Sequence, residues 1–281
     1  FDICETNGVK MEFSVLLSVY KKENPIYLKE ALDSVWEKQT LRPTEVVVVE
    51  DGPLTKELYE VLEEFSRTCD CLVRCPIEKN VQLGRALAYG VTQCKYELIA
   101  RMDTDDLAVP ERFEKQCDYM QKHPDTIALG GWIEEFDEKQ SYKAIKKMPE
   151  NMPEIKEYAK YRNPLNHMTV MFRKHAILEA GDYEHYPMLE DYYLWIRLLA
   201  KGMELHNLPE VLVDMRIDDA TYHRRGGKEY FRRYKKLRKY QYEMQLLNRG
   251  EYIKAVILTW GMTSEMVDGI RKILYHKILR R

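Results

Sequence analysis

The sequence contains no apolar run that approaches the roughly 18 to 20 residues that a membrane-spanning helix requires. Its first residues lack the pattern of a signal peptide, and residues 1–10 carry no signal for a fold. Internal repeats and low-complexity linkers are also missing. These absences exclude membrane-spanning and repeat architectures, and we expect a cytoplasmic globular protein.

Cysteine is scarce and irregularly placed. The six cysteines form no regular C-x-x-C pairs with matching histidines, and Cys69, Cys71 and Cys75 make the only cluster. Structural zinc sites use paired ligands at fixed spacing, so the sequence argues against zinc. Incidental thiols of this kind are typical of a reducing compartment, which again favours the cytoplasm.

Charge is unevenly distributed, although the net formal charge is only −2. Residues 1–223 contain 28 Lys and Arg against 41 Asp and Glu, whereas residues 224–281 contain 16 against 5. Basic terminal segments serve nucleic acids or anionic membrane surfaces. A nucleic-acid-binding module is the weaker hypothesis because it leaves the acidic body unexplained.

Apolar segments in the first half alternate between strand and helix patterns. Strands are predicted at 13–19, 46–49, 72–75 and 98–102, and helices at 25–36, 54–67 and 83–93. This alternation is typical of a mainly parallel sheet that helices cover on both faces.

The second half is less regular. It predicts helices at 110–122, 188–201, 228–248, 252–259 and 264–279, and strands at 127–136, 169–172 and 208–216. We expect an α/β domain over residues 11–225 and a basic helical extension over residues 226–281.

Three carboxylates, Asp103, Asp105 and Asp106, follow the apolar run 98–102 directly. Clustered carboxylates repel each other unless a cation lies between them, and oxygen ligands suit Mg²⁺ or Mn²⁺. The turn at 20–23 and the pair Glu50–Asp51 also follow strands, so all three turns should line one crevice. The pattern indicates a metal–diphosphate site, with a solvated turn and a helix cap at Asp106 as the alternative.

Five motifs, in their order and spacing, resemble the inverting glycosyltransferases of family 2, which have the Rossmann-like GT-A fold. The motifs are Ser18-Val19-Tyr20, Glu50-Asp51-Gly52, the segment 101–106, the segment 163–169 and the segment 189–195. The resemblance covers about residues 13–225 and is greatest to bacterial enzymes of surface polysaccharide assembly. It implies transfer from a UDP-sugar to a saccharide acceptor, most often one linked to polyprenyl diphosphate, and no nucleic-acid partner.

The resemblance also implies roles for individual residues. Asp105 would be the direct ligand of Mn²⁺ or Mg²⁺, Asp103 would contact the ribose or the metal, and Asp51 would bind the nucleotide base. A histidine that many relatives use as a further metal ligand is missing after Arg216, and Asp218 or His223 could replace it. The implied nucleotide-binding residues are Ser18, Tyr20, Glu23, Asp51, Asn80, Arg85 and Asp103.

The segment 189–195 would supply the catalytic carboxylates. Asp191 would act as general base beside Glu190, which would raise the local negative potential. An ordinary acidic helix start is the alternative. His167, Trp132 and Arg225 would contact the donor sugar or acceptor, with Arg225 in a cationic loop that closes on the diphosphate.

Two further hypotheses concern the enzyme class and the tail. A nucleotidyltransferase acting on sugar phosphates predicts a glycine-rich loop after the first strand, and residues 18–23 contain no glycine.

The tail predicts amphipathic helices that bind the inner face of the membrane, or that pack on the catalytic domain. The predicted apolar stripes are Tyr230, Phe231, Tyr234 and Leu237, then Ile270, Ile273, Leu274 and Ile278.

Overall fold

A computed structural model describes residues 11–137, 142–217 and 227–263. Its first half alternates strictly between strands and helices. The elements are β1 (Phe13–Val19), α1 (Pro25–Val35), β2 (Glu45–Glu50), α2 (Lys56–Thr68), β3 (Leu72–Pro76), α3 (Leu83–Gln93) and β4 (Leu98–Arg101).

The second half contains shorter elements. They are β5 (Leu107–Ala108), α4 (Arg112–Lys122), β6 (Thr126–Phe136), β7 (Lys143–Lys146), α5 (Met152–Ala159), a 3₁₀ turn (His167–Thr169), β8 (Met171–Arg173), α6 (Lys174–Glu179), α7 (Glu190–Ala200), β9 (Glu204–Arg216), α8 (Lys228–Glu243) and α9 (Arg249–Thr263).

The strands form one sheet in the order β3-β2-β1-β4-β8-β6-β9-β5, with β7 beside β6. The first four strands are parallel, as the alternation predicted. β8 runs antiparallel between β4 and β6, so the sheet is mixed overall. The predicted α/β fold class with flanking helices is confirmed.

Both faces of the central strands are buried. Val15 and Leu17 of β1 pack with α1, α2 and α4, whereas Leu16 packs on the opposite face against α3 and α7. This double burial explains why the parallel strands are continuous apolar runs in the sequence.

Several predicted boundaries were wrong, and local hydrogen bonds give the reason. The predicted strand 169–172 begins two residues later, since the 3₁₀ turn precedes it. The predicted helix 228–248 ends at Glu243, where Gln245 adopts a positive φ of 59°. Asn248 and Glu251 then form a capping box that starts α9, with bonds of 2.8 and 2.9 Å.

Short elements were missed altogether: β5, β7, α5 and α6. Each has eight residues or fewer, too short for a periodic pattern. The predicted helix 264–279 lies outside the described residues. In the ranges that the structure describes, no helix is both long and apolar enough to cross a bilayer.

Candidate active site

The turn after β4 brings three carboxylates together. One side-chain oxygen from each of Asp103, Asp105 and Asp106 lies within 4.8 Å of the others. Asp106 is buried and accepts a hydrogen bond of 2.8 Å from the backbone N–H of Arg216, at the end of β9. Asp103 and Asp105 remain partly exposed at the crevice.

Burial and mutual repulsion disfavour the ionised forms of this cluster. Burial, followed by the charges of Asp103 and Glu23, raises the pKa of Asp105 to about 7. The pKa of Asp106 is raised well above its ordinary value by burial and by its two neighbours. A divalent cation would relieve this repulsion, and the all-oxygen donor set fits Mn²⁺ or Mg²⁺.

The turn after β1 is joined to the carboxylate turn through Glu23. Thr104 donates its hydroxyl to one oxygen of Glu23 at 2.5 Å, and the other oxygen accepts the backbone N–H of Asn24 at 2.9 Å. Ser18 is partly exposed at the end of β1, and Tyr20 is exposed beside it. Two of the three predicted turns therefore meet, as expected from the parallel strands.

Asp51, at the end of β2, organises the segment that leads to α3. Its carboxylate accepts hydrogen bonds from the backbone N–H of Val81 at 2.6 Å and from Asn80 Nδ2 at 2.8 Å. Gly52 has a φ of 84°, and a Cβ there would lie 2.6 Å from the Asn80 nitrogen. The backbone of Gly52 therefore lies close to that of Asn80. Asn80 and Arg85 are exposed to solvent at this edge of the sheet.

The nucleotide-binding role that the resemblance implies for Asp51 predicts a loss of nucleotide affinity in Asp51→Ala. Without the carboxylate, residues 80–81 lose two hydrogen bonds to a charged group, which are worth about 1.5 to 3 kcal/mol each. We expect UDP to bind at least about 10-fold more weakly by isothermal titration calorimetry. Asp70→Ala, at an exposed turn, is the control, and equal UDP affinity in the two variants would contradict this role for Asp51.

Asp191 lies in the first turn of α7, where Asn163 holds it. Asn163 Nδ2 donates to Asp191 Oδ2 at 2.5 Å. Burial raises the pKa of Asp191, while hydrogen bonds and the charge of Arg101 oppose the shift. Glu190 is 7% exposed, and burial raises its pKa to about 7. Desolvation therefore makes both carboxylates more basic than free carboxylates, which suits a general base.

Arg101 connects the two groups of carboxylates. It is buried at the end of β4 and forms an ion pair with Asp103 through Nη2. Its charge also acts on Asp191, Glu190 and Asp105. Among the described residues, its Nε and Nη1 atoms have no hydrogen-bond partner. The sequence motif included Arg101 and Asn163, but motif matching alone assigned neither a role.

The three residues predicted to contact sugar or acceptor have different surroundings. His167 Nε2 lies 2.8 Å from Tyr183 Oη, and burial holds its pKa well below the usual range, so the ring is neutral. Trp132 Nε1 donates to the Met148 carbonyl at 3.2 Å, with Lys147 Nζ 4.9 Å above the ring. Arg225 lies outside the described residues, as do the predicted metal ligands Asp218 and His223.

A cavity of about 190 Å³ lies between α3 and the start of α7. Glu190 and Gly84 are on its wall, and Gln82 and Met188 line it with positive φ values of 72° and 69°. Positive φ is uncommon outside glycine and is found where surrounding structure imposes it. The sequence contained no signal for this cavity, which depends on segments about 100 residues apart.

Comparison with known proteins agrees with the site. The family model "Glycosyl transferase family 2" matches residues 14–186. The chain belongs to this family and is a glycosyltransferase.

Two relatives match nearly the whole chain. The amylovoran biosynthesis glycosyltransferase AmsE of Erwinia amylovora is 38% identical, over 94% of this chain and 98% of its own. The UDP-Gal:alpha-D-GlcNAc-diphosphoundecaprenol beta-1,3-galactosyltransferase of Escherichia coli is 36% identical, over 96% and 97% respectively.

Solved structures share the fold at low sequence identity. S. aureus TarS 1-349 in complex with UDP-GlcNAc has a TM-score of 0.67 at 16% identity, covering 95% of this chain and 76% of that one. The mannosyltransferase PcManGT from Pyrobaculum calidifontis, in complex with GDP-Man and Mn2+, has a TM-score of 0.62 at 13% identity, covering 95% and 70%. The protein therefore has the GT-A fold that its motifs predicted.

Proposed function

We propose that the protein is an inverting transferase that moves a hexose from a UDP-sugar to a saccharide linked to polyprenyl diphosphate. This step would belong to cell-surface polysaccharide synthesis; one relative is named for amylovoran biosynthesis and the other for galactosyl transfer to GlcNAc-diphosphoundecaprenol. The single observation that carries the proposal is the arrangement around Arg101: this buried cation pairs with Asp103 of the carboxylate cluster, and its charge also lowers the pKa of the candidate base Asp191 against the effect of burial. A donor diphosphate and an acceptor hydroxyl need these two kinds of group side by side.

In this mechanism Asp191 removes the proton from the acceptor hydroxyl as its oxygen attacks the anomeric carbon of the donor. The bond between that carbon and UDP breaks on the opposite face, so one displacement inverts the configuration. Asn163 orients the Asp191 carboxylate through its 2.5 Å hydrogen bond. Arg101 favours the ionised form of Asp191 against the effect of burial.

Asp105 and Asp103 would hold Mn²⁺ or Mg²⁺, with Asp218 or His223 as the proposed further ligand. When bound, such a cation neutralises charge on the leaving diphosphate. Asp51, Tyr20 and Glu23 would surround the nucleoside, with Ser18, Asn80 and Arg85 at its edge.

The test is a donor screen with a synthetic lipid-diphosphate-linked N-acetylhexosamine as acceptor. UDP release is measured from UDP-Glc, UDP-Gal, UDP-GlcNAc and UDP-GalNAc, each with Mn²⁺ or Mg²⁺. We expect acceptor-dependent release from one donor and a β-linked product from the α-linked donor. Pyrophosphate release from UTP and a sugar phosphate, without transfer from any UDP-sugar, would instead support a nucleotidyltransferase.

We also propose that the C-terminal extension binds an anionic membrane surface, where a lipid-linked acceptor would be met. The apolar stripe of α8 packs on the catalytic domain, which was the alternative to membrane binding. Leu237 is buried, and Tyr230 and Tyr234 pack on the core. Five exposed apolar side chains lie on α9, and residues 224–281 carry the excess of cations described above. The five exposed apolar side chains of α9, which are 39–60% exposed, are Ile253, Ile257, Leu258, Trp260 and Met262.

Sedimentation with vesicles tests this membrane proposal. The protein should bind vesicles that contain phosphatidylglycerol, and binding should fall with salt because each surface cation contributes about 1 kcal/mol. The double variant Ile257→Ser/Trp260→Ser should lose most binding, whereas Ile26→Ser, at an exposed apolar position on α1, should not. Equal binding to neutral and anionic vesicles, or no binding to either, would overturn the proposal.

A further inference from the structure

A buried arginine of α8 joins two segments of the catalytic domain. The guanidinium of Arg238 donates to the carbonyl of Lys160 at 3.1 Å and to that of Tyr161 at 2.6 Å, just after α5. It also donates to Tyr192 Oη on α7 at 2.7 Å and to Gln241 Oε1 at 2.8 Å. Arg238 is 0% exposed, so these bonds form away from water.

The end of α5 receives further hydrogen bonds from the same two helices. The carbonyl of Ala159 accepts from Gln241 Nε2 and from Tyr192 Oη, both at 2.7 Å. Carbonyls at a helix C-terminus carry partial negative charge, which compensates a buried cation. The Arg238 guanidinium also lies 5.3 Å from the ring centres of Tyr192 and Tyr234. The planar fork thus pairs with neutral oxygens and aromatic faces through Nη1 and Nη2, whereas its Nε has no hydrogen-bond partner among the described residues.

This junction leads directly to the candidate base. Asn163, which donates to Asp191, comes two residues after Tyr161, and Asp191 immediately precedes Tyr192. Arg238 therefore contacts the backbone two residues before Asn163 and the side chain of the residue after Asp191. A shift of this junction would change the distance between the amide and the carboxylate.

The same helix also holds the segment that precedes Asp191. Arg233 Nη1 donates to the carbonyl of Pro187 at 2.9 Å, and Tyr186 Oη donates to the carbonyl of Arg233 at 2.8 Å. Pro187 and Tyr186 lie on the wall of the cavity beside Glu190. α8 consequently contacts the chain on both sides of the α7 start.

We infer that Arg238 is a positioning residue for the catalytic base, so that the C-terminal extension completes the active site. The inference rests on the proposed role of Asp191 as the base. Arg238 lies outside the proposed donor site, and its effect should appear in turnover and not in nucleotide affinity. A misplaced base can reduce turnover strongly even when every substrate contact remains.

The experiment compares Arg238→Lys with Lys235→Arg, an exposed position on the same helix. Lysine keeps the charge, but a single ammonium cannot reproduce the planar fork that reaches both segments. In Arg238→Lys we expect kcat to fall about 10-fold, with the donor KM and the UDP affinity within about twofold of wild type. Hydrogen–deuterium exchange of residues 159–166 should accelerate in Arg238→Lys and stay at the wild-type rate in Lys235→Arg.

The two readouts separate this inference from the proposed function. If the wild-type protein transfers no sugar, the proposed function fails, and the exchange of residues 159–166 still decides whether Arg238 holds the junction. Unchanged exchange in Arg238→Lys would overturn the inference. So would an unchanged kcat, or a loss of kcat and UDP affinity together in proportion to a lowered melting temperature, which is the result of a merely structural role.

Discussion

Asp105→Ala should lose sugar transfer and metal-dependent UDP binding together, while its melting temperature stays near that of wild type. Asp105 is partly exposed in the carboxylate cluster, and removing it leaves Asp103 and the buried Asp106 with too few oxygens to hold a cation. A cation on a leaving diphosphate contributes several kcal/mol, so turnover should fall by about 100-fold to 1,000-fold or more. Turnover is measured as UDP release, and binding by calorimetry with and without Mn²⁺.

The matched control is Asp125→Ala, which removes an exposed carboxylate outside the site. It should keep the wild-type rate and the wild-type response to Mn²⁺. If Asp105→Ala retained Mn²⁺-dependent UDP affinity, the assignment of Asp105 as a metal ligand would be wrong. Because burial and repulsion raise the pKa of Asp105 to about 7, the metal-free alanine variant should be no less stable than wild type at neutral pH.

Asp191→Asn should slow sugar transfer while leaving UDP binding almost unchanged. Asparagine keeps the size of the side chain and can still pair with Asn163, but it cannot accept the acceptor's proton. We expect kcat to fall on the order of 100-fold or more, with UDP affinity nearly unchanged. Single-turnover transfer and UDP calorimetry measure the two effects separately.

Asp118→Asn, on the exposed surface of α4, serves as the control for this second variant. A turnover within a fewfold of wild type in Asp191→Asn would make Asp191 a helix-start residue only, and the base would have to be sought elsewhere. Reduced UDP affinity in Asp191→Asn but not in Asp118→Asn would place Asp191 in the donor site instead.

The strands that carry the candidate site were predictable because of how they are buried. β1 was predicted at its observed bounds, and β2, β3 and β4 within one residue, since a strand covered on both faces is a continuous apolar run. The shared location of the polar turns after these strands was also predictable, because parallel strands end at the same edge of a sheet. The short elements around α5 and β8 had no comparable pattern, as a helix of two turns shows little periodicity.

The sequence identified the motif residues, but it did not identify the contacts that they make. Asp191 could be selected from its motif, but its partner Asn163 is 28 residues away, and local spacing contains no information about that hydrogen bond. Arg101 was visible beside the carboxylates in the sequence, but its effect on the pKa of Asp191 depends on the folded arrangement. The amphipathic pattern of the tail likewise did not distinguish packing on the catalytic domain from binding to a membrane.

By itself, the sequence determined the parallel half of the sheet, the carboxylates at its edge and the family, because burial pattern and motif order are local properties of the chain. The tertiary structure decided which side chains meet. It placed Asn163 against Asp191, the buried Arg101 against Asp103, and Arg238 against the end of α5, 78 residues away. These contacts form only when distant segments pack together, since a buried guanidinium takes the acceptors that the surrounding fold presents to it.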